Sequence, residues 1–591
     1  LLEIGDQRRA GLFDLVPHRR ASLEGRVVEV DERTDRSGQA VRPPDPDSVL
    51  RAAREALEQG HRTAAVSFMN SCLNDENERA VVSLLREAGF DFVVGSGETH
   101  PFPKWLPRCE SAVTEAYLSP VLSAYLDSVG EGMGERGDLL VTSSSGGLID
   151  RAGYRAIDSL LSGPAGGVVG AGATARAAGL EQFINLDMGG TSSDVSRYSG
   201  SFAYQSPHQV GDARISSIAM KIETVAAGGG SICRVEDGLL RVGPQSAGAH
   251  PGPACYGFGG PLCLTDVNLL LGRLDPSRFS TPVSPEDAQG RLAEMVEQSG
   301  RPGPELLEGF LAVADDAMAN AIRKVSTAEG YDPSRHALQA FGGAGGQHAC
   351  GVARRLGMTK ILSPADSGLL SAYGLSRARV ERLIERSVLA PPDPRSLAVL
   401  EEEMIAEGLA ALAKLGETGR VAGKRAFARL LGQDVPLEIE YSQTQEIESL
   451  YRQKFQRVFG YFPSGRELEV HSLRLLVAGA SPASQEETFP EGSLREHAGS
   501  LCREEIAPWE RMAGPCLVAD DFGTLWIEKG WAARMGSRGS LLLELNESAD
   551  SVLSFPVAAR RERGVHLARA GPVNGAHALA VAGLAGAHVK R

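Results

Sequence analysis

Apolar positions in the first part of the chain alternate between helical and strand spacing. The predicted elements are a helix through Leu50, Ala53 and Leu57 that Asp47 or Ser48 caps and Gly60 ends, a buried strand over 64–69, a helix through Val81, Leu84, Leu85 and Ala88, and a strand over 92–94. Strands that are separated by short helices predict parallel pairing.

From about residue 136, short apolar runs end in glycine-rich turns. They run from 139–141 into 143–147, from 183–186 into 187–191, from 225–227 into 228–230 and from 338–341 into 342–346. Before the last of these turns, an amphipathic helix carries Leu307, Phe310, Leu311, Ala314, Met318, Ala321, Ile322 and Val325 on one face. This texture predicts an α/β fold with glycine turns at strand ends.

The composition changes again near 387–397, where Pro and Arg predict a linker. Beyond it we predict a half-buried strand (Val435, Leu437, Ile439, Tyr441), a helix (Ile447, Tyr451, Phe455, Val458) and a β-rich end from 514 to about 545. The tail, 546–591, is rich in Ala, Gly and Arg and fits none of these elements.

Charge and cysteine content narrow the function classes. The 61 basic and 75 acidic residues give a net charge of -14, which argues against a binder of nucleic-acid backbones. The 8 cysteines include no CxxC pair, so we expect free thiols in a reducing, cytoplasmic setting and no zinc cluster. No apolar run is long enough to span a membrane, and the start at Leu1, without Met, is interpreted as a missing N-terminus.

The segment 185–194 carries the first candidate site. An apolar strand runs through Asp187 into Gly189, Gly190, Thr191 and Ser192, and Asp194 follows. Glycines let backbone N–H groups converge on an anion, and a carboxylate at the strand end can hold a metal-bound phosphate. The same pattern also fits a tight β-hairpin turn with an ordinary polar tip.

The segment 340–350 is the second candidate. A strand meets Gly342, Gly343, Ala344 and Gly345 before a helix, which would let a flat ring lie against the backbone. A plain strand-to-helix connection fits the same residues. Together with the third turn, Gly228-Gly229-Gly230, the two segments favour a nucleotide cleft.

Several other residues have both a structural and a functional interpretation. His348 can contact a nucleotide but fits better as a packed or capping histidine, and the turn 250–256 fits either substrate contact or structure alone. The remaining residues of this kind are interpreted structurally: Cys255 and Cys350 as small buried residues, Asp315, Asp316 and Arg323 as a solvated helix face, and Lys221 and Glu223 as the outer face of a strand.

Long collinear strings resemble the hydantoinase A and 5-oxoprolinase family. They are LSGPAGGVVGA (161–171), LDMGGTSSDVSRYSG (186–200), TVAAGGGSI (224–232), GPQSAGAHPGPACYGFGG (243–260), LTDVNLLLGRL (264–274) and FGGAGGQHACGVARRLG (341–357). The likeness extends over most of 1–545, and the opening LLEIGDQRR (1–9) resembles a segment well inside the family's N-terminal region.

The resemblance implies an ASKHA-type (actin/Hsp70-like) ATPase fold with ATP and Mg²⁺ between two lobes. The implied division is 1–135 as the remainder of the first lobe, 136–386 as the ATPase domain, 397–545 as a C-terminal α+β domain and 546–591 unassigned. By similarity, the second-lobe phosphate loop comprises Asp187, Gly189, Gly190, Thr191, Ser192 and Asp194, with Asp187 and Thr191 catalytic and Asp187 on the metal. Gly228, Gly229 and Gly230 would also contact the nucleotide, and Gly342, Gly343, Ala344 and Gly345 would pack against adenosine.

One departure from the family pattern stands out. The family's first-lobe phosphate loop has no counterpart in the chain as it begins at Leu1, so we expect half of the phosphate clamp and weak nucleotide affinity. A non-catalytic subunit is therefore an alternative to an enzyme.

The implied activity is ATP-dependent opening of a cyclic amide, with 5-oxoproline to glutamate as the first candidate. N-methylhydantoin hydrolysis and a ketone carboxylase subunit are alternatives within the superfamily. The resemblance also implies a hydantoinase B-type partner and an oligomer, and it implies neither a nucleic-acid nor a membrane partner.

Overall fold

A computed structural model of the chain describes residues 23 and 25–546, with gaps at 101, 135–137, 211–212, 280–281, 481, 483–484, 497–499 and 509. The opening segment 1–9 and the tail from 547 onward lie outside the described residues. Every helix in the described ranges is too short or too polar to cross a bilayer.

The described helices of four or more residues are α1 (Pro46–Glu58), α2 (Glu76–Ala88), α3 (Ser96–Thr99), α4 (Trp105–Met133), α5 (Ser162–Ala177), α6 (Leu264–Leu270), α7 (Pro285–Ser299), α8 (Gly303–Val325), α9 (Gly345–Arg355), α10 (Leu370–Arg377), α11 (Pro394–Ala413) and α12 (Ile447–Phe459). The amphipathic helix predicted through Leu307 and Val325 is α8. The cap of α1 is Asp45, whose carboxylate accepts from the N–H groups of Asp47 and Ser48, so the predicted caps at those two positions are wrong.

The first strands of the chain are β1 (Arg33–Thr34), β2 (Ala40–Arg42), β3 (Thr63–Val66), β4 (Phe92–Gly95), β5 (Leu140–Thr142), β6 (Leu148–Asp150), β7 (Gln182–Met188), β8 (Ser193–Ser199), β9 (Tyr204–Gln205), β10 (His208–Val210), β11 (Ala213–Ile215), β12 (Ala219–Met220), β13 (Glu223–Val225), β14 (Ser231–Glu236) and β15 (Leu239–Ser246). β3 and β4 pair in parallel, as the alternation of strand and helix signals predicted. Val66, Val81, Val82 and Val93 form the small core between this pair and its helices.

The remaining strands are β16 (Ala337–Phe341), β17 (Lys360–Ser363), β18 (Glu381–Ala390), β19 (Arg420–Leu430), β20 (Leu437–Glu440), β21 (Leu468–Ala478), β22 (Leu494–Glu496), β23 (Ser500–Cys502), β24 (Arg511–Ala513), β25 (Cys516–Ala519), β26 (Thr524–Ile527), β27 (Trp531–Met535) and β28 (Leu541–Leu545). Within the described residues, the largest sheet has nine strands in the order β13-β8-β7-β16-β17-β28-β27-β24-β22. The fold is therefore mixed α/β.

The centre of this sheet positions the candidate site. β7 and β16 are parallel neighbours, with Asp187 opposite Phe341, so the turns that follow both strands leave the same edge. One face of these two strands is fully buried. Its side chains, which pack against α8 and α9, are Ile184, Leu186, Leu338 and Ala340. Asn185 and Gln339 of these strands are buried as well, and the Gln339 amide donates to the Thr174 hydroxyl of α5 at 2.6 Å, so both faces of the strands are covered.

The predicted linker at 387–397 is wrong. β18 continues to Ala390 and α11 begins at Pro394, so only 391–393 separate a strand from a helix. The Pro and Arg residues mark the helix start, where Asp393 caps α11 by accepting from the Ser396 N–H at 3.0 Å.

The strands of the predicted C-terminal domain, 397–545, are divided among three sheets, one of them the three-stranded sheet of order β23-β25-β26. The first part of the domain joins β18 in a four-stranded sheet of order β18-β21-β19-β20, packed on α11 and α12. Its last part joins the large sheet, since β28 pairs with β17. This pairing joins segments that are far apart in the chain, so local sequence does not predict it. It places the β-rich end in the same sheet as the candidate site.

Candidate phosphate site

The segment 189–192 is the tip of a β-hairpin. β7 and β8 are antiparallel, with Met188 opposite Ser193, and the glycine turn joins them. Of the two local interpretations, the hairpin turn is therefore correct as geometry. Gly189 and Gly190 are exposed, and a Cβ built on either one would meet no atom within 4 Å. Open space therefore lies on the side of the tip to which the Cβ positions of these two glycines point.

Three of the four backbone N–H groups of the tip make no hydrogen bond to the described part of the protein. The Gly189 N–H donates to the Ser192 carbonyl at 3.1 Å, which closes the turn. Among the described residues, no acceptor lies within hydrogen-bond distance of the N–H groups of Gly190, Thr191 and Ser192. Successive free N–H groups in a turn form a concavity that suits an anion.

Two carboxylates lie at the base of the tip. Asp187 and Asp194 are directly opposite each other on β7 and β8. Burial, followed by the charge of Asp194, raises the pKa of Asp187 to about 7. Burial also raises the pKa of Asp194, although the Thr224 hydroxyl, which donates to it at 2.6 Å, opposes that shift. The pair would be stabilised by a cation.

Helix α5 packs beside Asp187. A Cβ built on Gly167 would lie 3.2 Å from Asp187 Oδ2 and 3.1 Å from Ser371 Oγ of α10. The glycine therefore lets the helix approach the carboxylate. Within the described residues no protein donor bonds to Asp187, so its oxygens remain available to a ligand.

Gly228, Gly229 and Gly230, for which a nucleotide contact is predicted, donate their N–H groups to protein atoms. The Gly229 and Gly230 N–H groups donate to the carbonyls of Gly189 and Gly190 at 3.0 and 2.6 Å, and the Gly228 N–H donates to Ser231 Oγ at 2.9 Å. Their donors are thus occupied by protein atoms. A Cβ on Gly228 would lie 2.6 Å from the backbone of Thr191 and Ser192, so this segment braces the tip from behind.

The second glycine turn lies against the first. Gly342 has φ +80°, and a side chain there would overlap the Met188 carbonyl oxygen. The Ala344 N–H donates to that oxygen at 3.0 Å. The structure therefore brings both predicted glycine segments to one edge of the sheet.

Only part of the predicted adenosine surface faces open space. Gly343 is exposed and Gly342 is half-buried. Ala344 and Gly345 are buried, and a Cβ on Gly345 would lie 3.3 Å from the Leu186 carbonyl oxygen. These two residues pack against β7, so the surface that a ring could contact is formed by Gly342 and Gly343.

A residue that sequence reasoning missed, Phe522, approaches Gly343 through its backbone. Phe522 is 54% exposed and lies in the turn between β25 and β26. Its carbonyl oxygen is 3.9 Å from a Cβ built on Gly343, and its own Cβ is 2.5 Å from one built on Gly368. The sequence of the turn 520–523 has no local pattern that predicts its contact with the glycine turn at Gly343, which is far away in the chain.

His348 is packed, as its structural interpretation predicted. The ring is fully buried, with Nδ1 2.7 Å from Asp315 Oδ1 and Nε2 3.0 Å from Asn268 Nδ2. Asp315 is itself 2% exposed and also bonds Arg355 at 3.0 Å. The predicted solvated face is therefore wrong for Asp315 and correct for its neighbours Asp316 and Arg323, which are exposed.

The other ambiguous residues are ion-paired, buried or exposed in the described part of the chain. Lys221 pairs with Glu329, and Glu223 with Lys324. Cys255 and Cys350 are each 1% exposed, as predicted, and burial raises the pKa of the Cys350 thiol to about 12, so neither is an activated nucleophile. His250 and Pro251 lie in an exposed turn.

The fold and this edge of the sheet define a mixed α/β protein with a candidate anion site between two glycine turns. The model of the hydantoinase/oxoprolinase N-terminal region matches residues 1–89, and the hydantoinase/oxoprolinase model matches 108–383. The chain belongs to the hydantoinase/oxoprolinase family.

Curated relatives and a solved structure agree with this assignment. A 5-oxoprolinase of Pestalotiopsis fici is 39% identical over 426 residues, which cover 64% of this chain and 33% of that one. The 5-oxoprolinase of Saccharomyces cerevisiae is 33% identical over 543 residues, covering 83% and 42%. The crystal structure of ATP-dependent caprolactamase from Pseudomonas jessenii is similar with a TM-score of 0.79 and 25% identity, covering 92% and 86%. The chain spans less than half the length of these two curated relatives.

Proposed function

We propose that this chain is the nucleotide-binding part of an ATP-dependent cyclic amide hydrolase, with 5-oxoproline as substrate and glutamate, ADP and phosphate as products. The observation that carries the proposal is the set of three free N–H groups at Gly190–Ser192, next to the carboxylate of Asp187. Backbone donors at a glycine turn bind phosphate oxygens, and a neighbouring carboxylate suits their metal ion.

The proposed architecture is ASKHA-type, with the hairpin tip as a phosphate loop of the second lobe. Gly342 and Gly343 would lie along the adenosine, and Phe522 would cover the base. The two turns leave adjacent parallel strands at the same edge of the sheet, so one bound nucleotide could contact both.

The reaction needs ATP because an unstrained amide is a poor electrophile. The amide oxygen would attack the γ-phosphorus as the bond to ADP breaks. Water would then add to the ring carbon, the carbon–nitrogen bond would break with a proton going to nitrogen, and a second water would release phosphate from the acyl phosphate. The chain's own share is to position the phosphates with the Gly190–Ser192 donors and to stabilise charge there.

Asp187 and Asp194 fit a magnesium ion. Their carboxylates face each other, and Asp187 accepts no hydrogen bond from a described residue. The described residues include no cluster of three or more His, Cys, Asp or Glu side chains that could hold a metal. Phosphate oxygens and water would therefore supply the other ligands, as is usual for Mg²⁺, and the ion would neutralise charge on the transferring group.

A larger lactam is a second candidate substrate, because the solved caprolactamase aligns with 92% of the chain. We further propose that a hydantoinase B-type chain completes the enzyme within an oligomer. The eight cysteines are free thiols, which suits a reducing compartment such as the cytoplasm.

The test is ADP release from the full chain, purified after co-expression with a B-type chain, on addition of 5-oxoproline, N-methylhydantoin or caprolactam. We expect the fastest release with 5-oxoproline and its loss in Asp187→Asn. A matched control is Asp316→Asn, which alters an exposed carboxylate on α8. No ADP from any cyclic amide, with MgATP bound, would eliminate the hydrolase.

A further inference from the structure

The glycine-rich string 161–171 forms the first part of α5, which packs on α10 with backbone against backbone. A side chain at Gly170 would overlap the Leu370 carbonyl oxygen. A side chain at Gly374 of α10 would overlap the Gly166 carbonyl oxygen. Both helices therefore need glycine at their crossing, and this close contact fixes the start of α10 relative to α5.

The close approach of the two helices brings the Ser371 hydroxyl next to Asp187. A Cβ built on Gly167 would lie 3.1 Å from Ser371 Oγ and 3.2 Å from Asp187 Oδ2. It would also lie 3.3 Å from the Phe341 ring, which is 2% exposed and covers one side of this space. The two oxygens are therefore neighbours, although α10 and β7 are far apart in the chain.

Neither oxygen is used by the described part of the protein. Among the described residues, no hydrogen bond is made to the Ser371 hydroxyl or to the Asp187 carboxylate, and none joins the two. Ser376 of the same helix differs, because its hydroxyl donates to the Tyr373 carbonyl at 2.7 Å. A hydroxyl has one donor and two acceptor lone pairs, so Ser371 retains its full capacity to bond a ligand.

A hydrated magnesium ion suits this pair of oxygens. Mg²⁺ keeps several of its waters when it binds a carboxylate. Each of those waters is a strong donor, and a serine hydroxyl can accept from one of them. A water that bridges two polar groups contributes almost as much enthalpy as a direct hydrogen bond. An ion at Asp187 can therefore be held by the Ser371 hydroxyl through one of its waters.

We propose that Ser371 is a positioning residue for the magnesium ion at Asp187 and acts through one water of that ion. The ion rests on the proposed function, whereas the pairing of the two oxygens rests on the packing of α5 and α10. The string 161–171 thereby gains a functional reason. Its glycines allow α10 to place a free hydroxyl beside the carboxylate.

The test measures how strongly Mg²⁺ stabilises the full chain in the wild type and in Ser371→Ala. The midpoint of urea unfolding is followed at pH 8 and constant ionic strength while magnesium chloride is titrated, since an ion that binds only the folded state raises the midpoint. We expect Ser371→Ala to need about 3- to 10-fold more Mg²⁺ for the same rise, because one hydrogen bond to the ion's water is lost.

The midpoint without Mg²⁺ separates this role from a structural one. It should be the same in Ser371→Ala and in the wild type, because no described protein group bonds the hydroxyl. A lower midpoint without the ion, together with an unchanged Mg²⁺ response, would show that the hydroxyl serves packing alone and would overturn the proposal.

Three further variants locate the effect. Gly167→Ala places a methyl group beside both oxygens and should weaken the Mg²⁺ response at least as much as Ser371→Ala. Ser376→Ala is the matched control, because it removes an exposed hydroxyl from the same helix and should leave the response unchanged. Adding Ser371→Ala to Asp187→Asn should change the response no further, since the serine acts through the ion that Asp187 holds.

The outcomes separate this proposal from the proposed function. An equal Mg²⁺ response in Ser371→Ala and the wild type would overturn the proposal, and ADP release with 5-oxoproline would then leave the hydrolase standing. A wild-type chain that Mg²⁺ does not stabilise, with or without ADP, would overturn the proposal as well. A weakened response in Ser371→Ala, with no ADP release from any cyclic amide, would keep the ion site and eliminate the hydrolase instead.

Discussion

Asp187 and Asp194 lie directly opposite each other at the ends of β7 and β8, next to the hairpin tip. Two carboxylates at opposed positions repel each other, and both have a raised pKa. The pair therefore holds a proton at neutral pH more readily than an isolated aspartate does, and a divalent cation can replace that proton.

The raised pKa of Asp187 predicts a pH-dependent stability. Between an unfolded pKa near 3.9 and a folded pKa of about 7, the folded state retains a proton that the unfolded state has lost. The free energy of unfolding should therefore fall as pH rises through this window, by about 1–3 kcal/mol in total after solvent screening. Asp187→Asn should remove this fall, so that urea unfolding from pH 4 to pH 8 shows a flatter profile.

Magnesium supplies the control for this prediction. At pH 8, Mg²⁺ should raise the unfolding midpoint of the wild-type chain and leave that of Asp187→Asn unchanged, since an ion that binds only the folded state stabilises it. Parallel pH profiles for the two proteins would show that Asp187 is ionised in the folded chain.

The packing of Gly228 against the hairpin tip predicts that an alanine substitution destabilises the chain at Gly228 but not at Gly190. A Cβ on Gly228 would lie 2.6 Å from backbone atoms of Thr191 and Ser192, whereas one on Gly190 would meet nothing within 4 Å. Gly228→Ala should lower the free energy of unfolding by about 1–3 kcal/mol, and Gly190→Ala by less than about 0.5 kcal/mol. Chemical denaturation measures both, and equal losses would contradict the brace.

Phe522 is predicted to stack on the adenine of a nucleotide at Gly343. Phe522→Ala should weaken ATP binding about tenfold, because stacking of a base on an aromatic ring is lost, and should leave binding of inorganic triphosphate unchanged. Phe459→Ala is the control, since Phe459 is 51% exposed at the end of α12. Calorimetric titration of each ligand measures the effect, and an equal loss for triphosphate would place Phe522 outside the base site.

Local patterns were sufficient for α1, α2, α8, α9 and α12, for the parallel pair β3–β4 and for the glycine turns. Helical spacing identified α8, because a long helix against a sheet must be apolar on one face. The strand-to-glycine signal identified the hairpin tip and Gly342, because backbone that turns sharply and approaches another chain segment needs glycine. Family resemblance supplied the interpretation of these turns, which spacing alone left open.

Local patterns did not predict contacts between residues that are far apart in the chain. The sequence of Gly228–Gly230 resembles a ligand-binding turn. These glycines follow β13, which pairs with β8 of the hairpin, and the N–H groups of Gly229 and Gly230 donate to carbonyls of the tip. Phe522 reaches Gly343 only because β25 and β26 pack against the start of α9.

Asp315 and Asp316 provide the last prediction, because adjacent acids on α8 have opposite environments. Asp315 is 2% exposed and joins His348 to Arg355, whereas the Asp316 side chain is 64% exposed and contacts Arg355 from solvent. Asp315→Ala leaves buried donors unpaired and should lower the free energy of unfolding by about 3–5 kcal/mol, against less than about 1 kcal/mol for Asp316→Ala. Asp315→Asn, which keeps an acceptor for one of the two donors, should fall between them. Urea unfolding of the three variants checks this order, and equal losses for Asp315→Ala and Asp316→Ala would mean that the His348 ring is held by its packing and by Asn268 alone.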